Sequence, residues 1–204
     1  MMNGQKILVL VFVFLLLAGC GGSRHEFDPI PDDGVILSFG DSLTYGTGAK
    51  RDESYPSVLQ QLTGRTVINA GVPGEVTADG VKRLAPLLDM HQPDLLILIH
   101  GGNDMLRKKN LELAVANLRK MIEMSRDRNV PVIMMAVPNP TLILSPAEFY
   151  EELASEMNVP IEADAIADIL QYPSNKSDAV HPNADGYRKM AESLQQLLIS
   201  VGAL

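Results

Sequence analysis

The sequence has a single cysteine, no tryptophan and few other aromatic residues. One cysteine excludes an internal disulfide. Basic residues are outnumbered by acidic ones, 17 to 25, and form no extended basic cluster. A chain of net charge −8 without a basic patch is a poor candidate for binding nucleic acid. A phosphate-binding P-loop motif and a Gly-x-Ser-x-Gly nucleophile elbow are also absent, so the sequence matches neither of those motif classes.

Long hydrophobic runs are missing as well, except for one near the N-terminus. Residues 7–18 are apolar and follow Lys6, but these twelve residues are too few to cross a bilayer comfortably. A small-residue site follows, so residues 1–19 are predicted to be a secretory signal peptide. Two alternatives to the lipoprotein signal described next are an ordinary cleaved signal with a stray cysteine and an uncleaved anchor.

The end of this signal, Leu17-Ala18-Gly19-Cys20, resembles the lipobox of bacterial lipoproteins. The resemblance implies that Cys20 is lipidated, and several acyl chains would anchor the protein at a membrane. The expected location is the bacterial cell envelope, on a membrane and facing the periplasm or the exterior.

The mature chain is predicted to have two parts. Residues 20–33 lack an apolar period and contain Gly, Ser, Asp and Pro, which is typical of a tether. Residues 34–204 are long enough for one domain with its own core. Removing the signal also removes Lys6, so the net charge changes from −8 to −9.

Four short apolar runs, each bounded by turn residues, are typical of buried β-strands. They cover residues 35–39, 66–69, 95–99 and 130–137, and a weaker fifth run covers 159–162. Their β-branched residues are continuous rather than alternating, which indicates strands covered on both faces.

Between the strands, apolar residues recur at spacings of three and four, the period of an amphipathic helix. The stripes are Val81, Leu84 and Leu88; Leu111, Ala114, Val115, Leu118, Met121 and Ile122; and, after Asn183 as a helix N-cap, Tyr187, Met190, Ala191, Leu194, Leu197, Leu198 and Val201. Strand and helix alternate, so we predict an α/β fold: a three-layer α/β/α sandwich with a mostly parallel sheet of about five strands.

Ligands of parallel sheets sit beyond the carboxyl ends of the strands, so the loops at that edge are the candidate site. Asp178 and His181 are three residues apart, so the carboxylate can reach one ring nitrogen across a helical turn. The other nitrogen is then free to deprotonate a serine, which is a poor nucleophile without a base. Ser42 follows the first predicted strand and can supply that hydroxyl.

The loop residues, in their order along the chain, resemble the four sequence blocks of the SGNH (GDSL) hydrolases. The similarity runs from about Val35 to the C-terminus, and Pro93-Asp94 before the third strand is similar to the thioesterase I/lysophospholipase/arylesterase branch. The blocks are Gly40-Asp41-Ser42-Leu43-Thr44-Tyr45-Gly46, Asn69-Ala70-Gly71, Gly101-Gly102-Asn103-Asp104 and Asp178-Ala179-Val180-His181-Pro182-Asn183.

The resemblance implies a flavodoxin-like SGNH fold and a serine esterase of broad acyl specificity without a cofactor. It assigns Ser42 as nucleophile, His181 as general base and acid, and Asp178 as the group that orients His181. It also implies that Gly71 and Asn103 complete an oxyanion hole with the backbone N–H of Ser42. A glycine lets its N–H approach closely, and an amide donates hydrogen bonds without a charge.

Three further polar residues lie beside these blocks. Asp41 and Asp104 are expected to make structural hydrogen bonds, and no His or Cys cluster with ligand spacing accompanies them, so we expect no metal. His100 departs from the commonest pattern of the family, and we expect it to support its loop rather than to act in the chemistry, because His181 already fills the base position.

The expected substrate is a small-molecule or lipid ester or thioester. The alternatives are an esterase that removes O-acetyl groups from envelope polysaccharide or peptidoglycan, and a non-catalytic lipoprotein that binds a small ligand in the crevice. Acyl transfer instead of hydrolysis also stays open. Leu142-Ile143-Leu144 either lines an acyl channel or packs under the following helix.

Overall fold

The structure is a computed structural model that describes residues 27–140 and 145–204. The predicted signal peptide, Cys20 and the first part of the tether lie outside the described residues. So do Leu142, Ile143 and Leu144, for which an acyl channel is one of the two predictions.

The strands form one sheet in which every pairing is parallel, in the order β2-β1-β3-β4-β5. Their bounds are β1 Val35–Gly40, β2 Thr66–Gly71, β3 Leu95–Ile99, β4 Val132–Met135 and β5 Ile161–Glu162. The predicted five-stranded α/β architecture is confirmed. The fourth strand is shorter than its apolar run, and the fifth has only two residues.

The helices include the three that the apolar stripes predict. Their bounds are α1 Ser42–Tyr45, α2 Tyr55–Thr63, α3 Thr77–His91, α4 Gly102–Leu106, α5 Leu111–Arg126, α6 Phe149–Glu156, α7 Ala165–Gln171 and α8 Ala184–Ser200. The predicted N-cap of α8 is confirmed, since the Asn183 side chain accepts the N–H of Gly186 at 3.1 Å. The other five helices, α1, α2, α4, α6 and α7, have no counterpart in the sequence-based prediction.

The helices cover both faces of the sheet. Helix α2 packs against α8, and α3 packs against α5. The connection from β1 to β2 runs one way along the sheet, while the connections from β2 to β3 and from β3 to β4 run the other way. Right-handed crossovers therefore place α2 on one face and α3 and α5 on the opposite face.

The core lies on both sides of β3, whose five residues are all buried. This double burial explains why its sequence is apolar throughout instead of alternating. Leu84, Leu118 and Leu194 of the predicted helical stripes are fully buried. Leu111 differs from the prediction: it is the first residue of α5 and is 43% exposed.

Residues 27–33, which belong to the predicted tether, pack against the domain before β1 begins. The N–H of Phe27 donates to the Val201 carbonyl at 2.8 Å, and the N–H of Ile30 donates to the Ala203 carbonyl at 2.9 Å. The Ile30 side chain is buried in the core. Among the residues that the structure describes, no helix is long and apolar enough to span a membrane.

Candidate active site

The carboxyl ends of three strands lie level with one another at one edge of the sheet. In the register, Gly40 of β1 is opposite Gly71 of β2 on one side and Ile99 of β3 on the other. The chain leaves β1 directly into α1, so Ser42 is held at the first position of that helix. The three loops that sequence reasoning expects to converge therefore do so.

Ser42, His181 and Asp178 form a continuous hydrogen-bonded chain. The Ser42 Oγ lies 3.0 Å from His181 Nε2, although 139 residues separate the two in sequence. The His181 Nδ1 lies 2.8 Å from Asp178 Oδ2. A carboxylate only accepts hydrogen bonds, so Nδ1 carries the proton and Nε2 is left as an acceptor for the Ser42 hydroxyl. This is the tautomer that a general base needs.

The Asp178–His181 contact arises in a bent loop, not in the helical turn that its spacing suggests. The other carboxylate oxygen, Asp178 Oδ1, accepts the backbone N–H groups of Val180 and His181, each at 2.9 Å. Burial works against ionisation of Asp178. The bonds from the His181 ring and from the two backbone N–H groups outweigh that effect, and the pKa of Asp178 lies below its ordinary value of 3.8.

A cavity of about 260 Å³ opens beside Ser42 and His181. Its walls are mainly apolar, which suits a hydrocarbon chain better than a sugar ring. The apolar side chains in the walls are Leu43, Pro73, Leu106, Val137, Pro138, Pro140, Ile166, Leu170, Ala179 and Val180.

Asn103 reaches the same cavity from α4. Its side-chain amide donates one hydrogen bond to Asp41 Oδ2 at 3.0 Å. The other carboxylate oxygen of Asp41 accepts the N–H of Leu43 at 3.1 Å and caps α1. Asp41 thus fixes the Asn103 amide and the helix that carries Ser42, and the second amide hydrogen of Asn103 stays available. Burial is the largest influence on Asp41 and raises its pKa.

Gly71 does not take the place predicted for it. It is absent from the cavity walls, and its N–H donates to the Asn69 side chain at 3.1 Å. A Cβ at this position would come within 2.1 Å of the Tyr45 backbone nitrogen. The glycine is therefore needed for close packing of β2 against α1. Its assignment to the oxyanion hole is corrected on these grounds.

Gly74 of the same loop lines the cavity together with Ser42 and Asn103. Its N–H has no acceptor within the described part of the chain, and the same holds for the N–H of Ser42. The φ angle of Gly74 is +77°, a left-handed conformation that favours glycine. The sequence does show two glycines after the second predicted strand, Gly71 and Gly74. Their spacing does not show that the N–H of Gly71 is already bonded and that of Gly74 is free to face the cavity.

The residue after Gly74 belongs to a buried polar cluster. The Glu75 carboxylate accepts two hydrogen bonds from Arg83, at 2.8 and 2.6 Å, and lies 3.1 Å from His100 Nε2. Burial alone would raise the pKa of Glu75. The bonds from His100 and Arg83, with the Arg83 charge, lower that pKa to about 2.

Asp104 has the structural role expected for it, because its carboxylate accepts the N–H and the hydroxyl of Thr77, each at 2.9 Å. These bonds tie α4 to the beginning of α3. Within residues 27–140 and 145–204, no group of three His, Cys, Asp or Glu side chains is placed to hold a metal ion.

The pKa of Glu75 predicts how its substitution changes acid stability. The folded-state pKa of about 2 lies below the ordinary 4.5, so ionised Glu75 stabilises the fold above pH 4.5. That stability is lost as the pH falls from 4.5 through 2. The contribution of ionised Glu75 to the free energy of unfolding is at most on the order of 3 kcal/mol. Glu75→Gln has no titrating carboxylate, so its free energy of unfolding should fall less steeply than that of wild type across this window.

Urea unfolding at pH 5, 3.5 and 2.5 measures these slopes. Asp79→Asn is the matched control, since Asp79 is an exposed acid of α3 that pairs with Lys82. It should keep the wild-type slope. Equal slopes for wild type and Glu75→Gln would contradict the prediction.

Comparison with known proteins finds relatives that match nearly the whole chain. The chain is 31% identical to an arylesterase of Vibrio mimicus, over 95% of this chain and 98% of the relative. It is 26% identical to the thioesterase 1/protease 1/lysophospholipase L1 of Escherichia coli K12, over 97% of this chain and 96% of the relative. The crystal structure of AlinE4, an SGNH-hydrolase family esterase, superposes with a TM-score of 0.66 at 30% identity and covers 83% of this chain and 97% of that one.

Residues 38–189 match the sequence profile of the GDSL-like lipase/acylhydrolase family. The match begins inside β1 and ends in α8, so it includes every loop that contributes to the cavity. The match covers about three-quarters of the chain, including the edge of the sheet where Ser42 lies. The chain therefore belongs to the GDSL-like lipase/acylhydrolase (SGNH hydrolase) family.

Proposed function

We propose that this protein is a serine esterase that hydrolyses carboxylic ester or thioester bonds through an acyl-enzyme. The observation that carries the proposal is the hydrogen-bonded chain from Ser42 through His181 to Asp178 at the wall of an apolar cavity. Ester hydrolysis also agrees with the names of its arylesterase and thioesterase/lysophospholipase relatives.

In the first half of the proposed reaction, Ser42 Oγ attacks the carbonyl carbon of the ester while His181 Nε2 takes the hydroxyl proton. The imidazolium that forms is stabilised by the Asp178 carboxylate. The tetrahedral intermediate then collapses, the bond to the leaving alcohol or thiol breaks, and His181 returns the proton to that leaving group.

In the second half, water attacks the acyl-enzyme. His181 accepts a proton from the water, and the carbon–oxygen bond to Ser42 breaks as the proton moves to Ser42 Oγ. A carboxylic acid leaves, and the serine hydroxyl is restored. No cofactor takes part in this sequence of steps.

The proposed oxyanion hole consists of the N–H of Ser42, the N–H of Gly74 and the side-chain amide of Asn103. Its support is that all three residues line the cavity, and that the two backbone N–H groups have no acceptor in the described part of the chain. Preorganised donors of this kind stabilise the charge that develops on the carbonyl oxygen, and losing one typically costs 10²–10³ in rate.

Ser42→Ala tests the nucleophile. The variant should lose esterase activity by a factor on the order of 10⁶, because only the oxyanion donors and substrate binding remain. A fluorophosphonate probe should label wild type at Ser42 and should fail to label the variant. Ser57→Ala is the matched control, since Ser57 is an α2 serine outside the cavity. A folded wild type that neither labels nor turns over esters would instead support the non-catalytic binding protein.

The size of the cavity supports a preference for short- to medium-chain acyl groups. At about 260 Å³ it is smaller than the pockets of 300–1,000 Å³ that typically enclose drug-sized ligands. Among p-nitrophenyl esters, kcat/KM should therefore be higher for butyrate and octanoate than for acetate and palmitate. Activity confined to acetate would favour the alternative O-acetylesterase, and palmitate as the best substrate would contradict the size argument.

The N-terminus supports a separate proposal about location. The lipobox-like Leu17-Ala18-Gly19-Cys20 leads us to propose that Cys20 is lipidated and anchors the enzyme in the bacterial cell envelope. Mass spectrometry of detergent-extracted protein should find acyl chains on an N-terminal Cys20. Cys20→Ser should release the protein from the membrane fraction while the purified enzyme keeps wild-type activity. An unmodified Cys20 in the membrane fraction would reject lipidation.

A further inference from the structure

A buried cluster of three charged or titratable side chains lies directly behind Gly74, and the proposed reaction uses none of them. Glu75 follows Gly74 in the β2–α3 loop, Arg83 is on α3, and His100 comes directly after β3. The Glu75 side chain is 7% exposed and that of His100 is 0% exposed. Burying such groups is costly unless each is bonded, so their arrangement calls for a physical explanation.

The hydrogen-bonding role of each His100 nitrogen follows from its neighbours. The backbone N–H of Gly101 donates to His100 Nδ1 at 2.9 Å, so Nδ1 has no proton of its own. The proton of the neutral ring is therefore on Nε2, 3.1 Å from the Glu75 carboxylate. His100 thus acts as a donor from the end of β3 to the loop after β2.

The space around His100 is fitted to this orientation. Gly80 lies in the first turn of α3, and a Cβ there would come within 2.6 Å of His100 Nε2. The Tyr150 hydroxyl donates to the His100 carbonyl at 2.7 Å and fixes the backbone. A helix glycine that leaves room for the ring, together with an anchored carbonyl, limits His100 to one position.

Glu75 transmits this position to Gly74. Its own N–H donates to the Val72 carbonyl at 3.1 Å, which closes a turn around Gly74. The Gly74 carbonyl accepts from Arg107 at 2.7 Å. The Gly74 residue is therefore held on one side by Arg107 and on the other by the Glu75 side chain with its two donors, Arg83 and His100.

We propose that His100 is a positioning residue for the oxyanion hole: through its hydrogen bond to Glu75 it holds the β2–α3 loop so that the Gly74 N–H stays directed at the reacting carbonyl. This inference rests on the proposed function, since it takes Gly74 as an oxyanion donor. His100 does not touch the substrate, because it is absent from the cavity walls.

The alternative is that His100 only fills space in the core. Arg83 alone would then suffice to hold Glu75. The Arg83 side chain is 26% exposed and has a long flexible stem, whereas the His100 ring is rigid and fully buried. Donor placement within a fraction of an ångström decides catalytic efficiency, so the two explanations predict different kinetics.

The test compares three substitutions of His100. Glutamine places an amide nitrogen where Nε2 lies and keeps the donor to Glu75. Asparagine keeps an acceptor for Gly101 but is too short to reach Glu75. Leucine keeps the volume and neither bond. We expect His100→Asn and His100→Leu to lower kcat about ten-fold or more with little change in KM. His100→Gln should restore most of the lost rate.

Two inhibitors separate positioning from general damage. A trifluoromethyl ketone adds to Ser42 and forms an oxyanion, whereas the corresponding ether isostere binds the cavity without reacting. In His100→Asn, the inhibition constant of the ketone should rise by the factor that kcat/KM falls, and the affinity of the ether should stay at its wild-type value. Asn103→Ala, which removes a donor outright, sets the scale at about a hundred-fold.

His91→Asn is the matched control, because His91 lies at the far end of α3, away from the cavity. This variant should leave the inhibition constants of the ketone and of the ether unchanged. Should the His100 variants fail to fold, Glu75→Ala removes the carboxylate that His100 binds and should selectively weaken inhibition by the ketone.

Wild-type turnover in this experiment tests the proposed function, and the ratios between variants test the positioning role. An active wild type with unchanged kcat/KM in His100→Asn, or with equal weakening of ketone and ether, would overturn the inference and leave the esterase assignment standing. An inert wild type would remove both.

Discussion

The parallel pairing of β1 with β2 and β3 is the constraint on which the catalytic edge depends. Because parallel strands end at one edge, and because Gly40 is in register with both neighbours, the loops after all three strands begin at the same height. Ser42 and Gly74 follow their strands by only two or three residues. Short connections leave little freedom, so the sheet itself sets the distance between Ser42 and Gly74, whereas His181 reaches Ser42 from a separate loop.

The site divides into a polar back and an apolar front. Behind the reacting atoms, the buried carboxylates of Asp41 and Asp104 and the carboxylate of Glu75 each accept at least two hydrogen bonds. Such networks become rigid when every member is satisfied, and they are destabilising when one bond is missing. In front, the apolar cavity walls offer few competing donors or acceptors. Few donors then line the cavity, and the bonds behind them hold them in place, as the proposed stabilisation of an oxyanion would require.

The sheet and the order of the polar loops were predictable because continuous apolar runs and turn residues are local signals. Which of Gly71 and Gly74 has an N–H that can face the cavity was not predictable. It depends on the hydrogen bond that the Gly71 N–H donates to the Asn69 side chain and on the packing of α1 against β2. Ile30 was missed for a related reason: one apolar residue among polar ones shows no period, and its partners near the C-terminus are 170 residues away in sequence. The sequence allowed the prediction that His100 supports its loop. It did not identify Glu75 as the partner of His100, because that contact depends on β2 and β3 lying on either side of β1.

The chain enters the domain at the pole opposite the crevice. Phe27 and Ile30 lie beside the end of α8, next to the residues that precede β3 and β4, and so at the amino edge of the sheet. Whatever surface holds the residues upstream of Phe27 would face the back of the molecule. With the lipid anchor proposed at Cys20, the opening beside Ser42 would face away from the membrane, toward esters that diffuse in the surrounding medium.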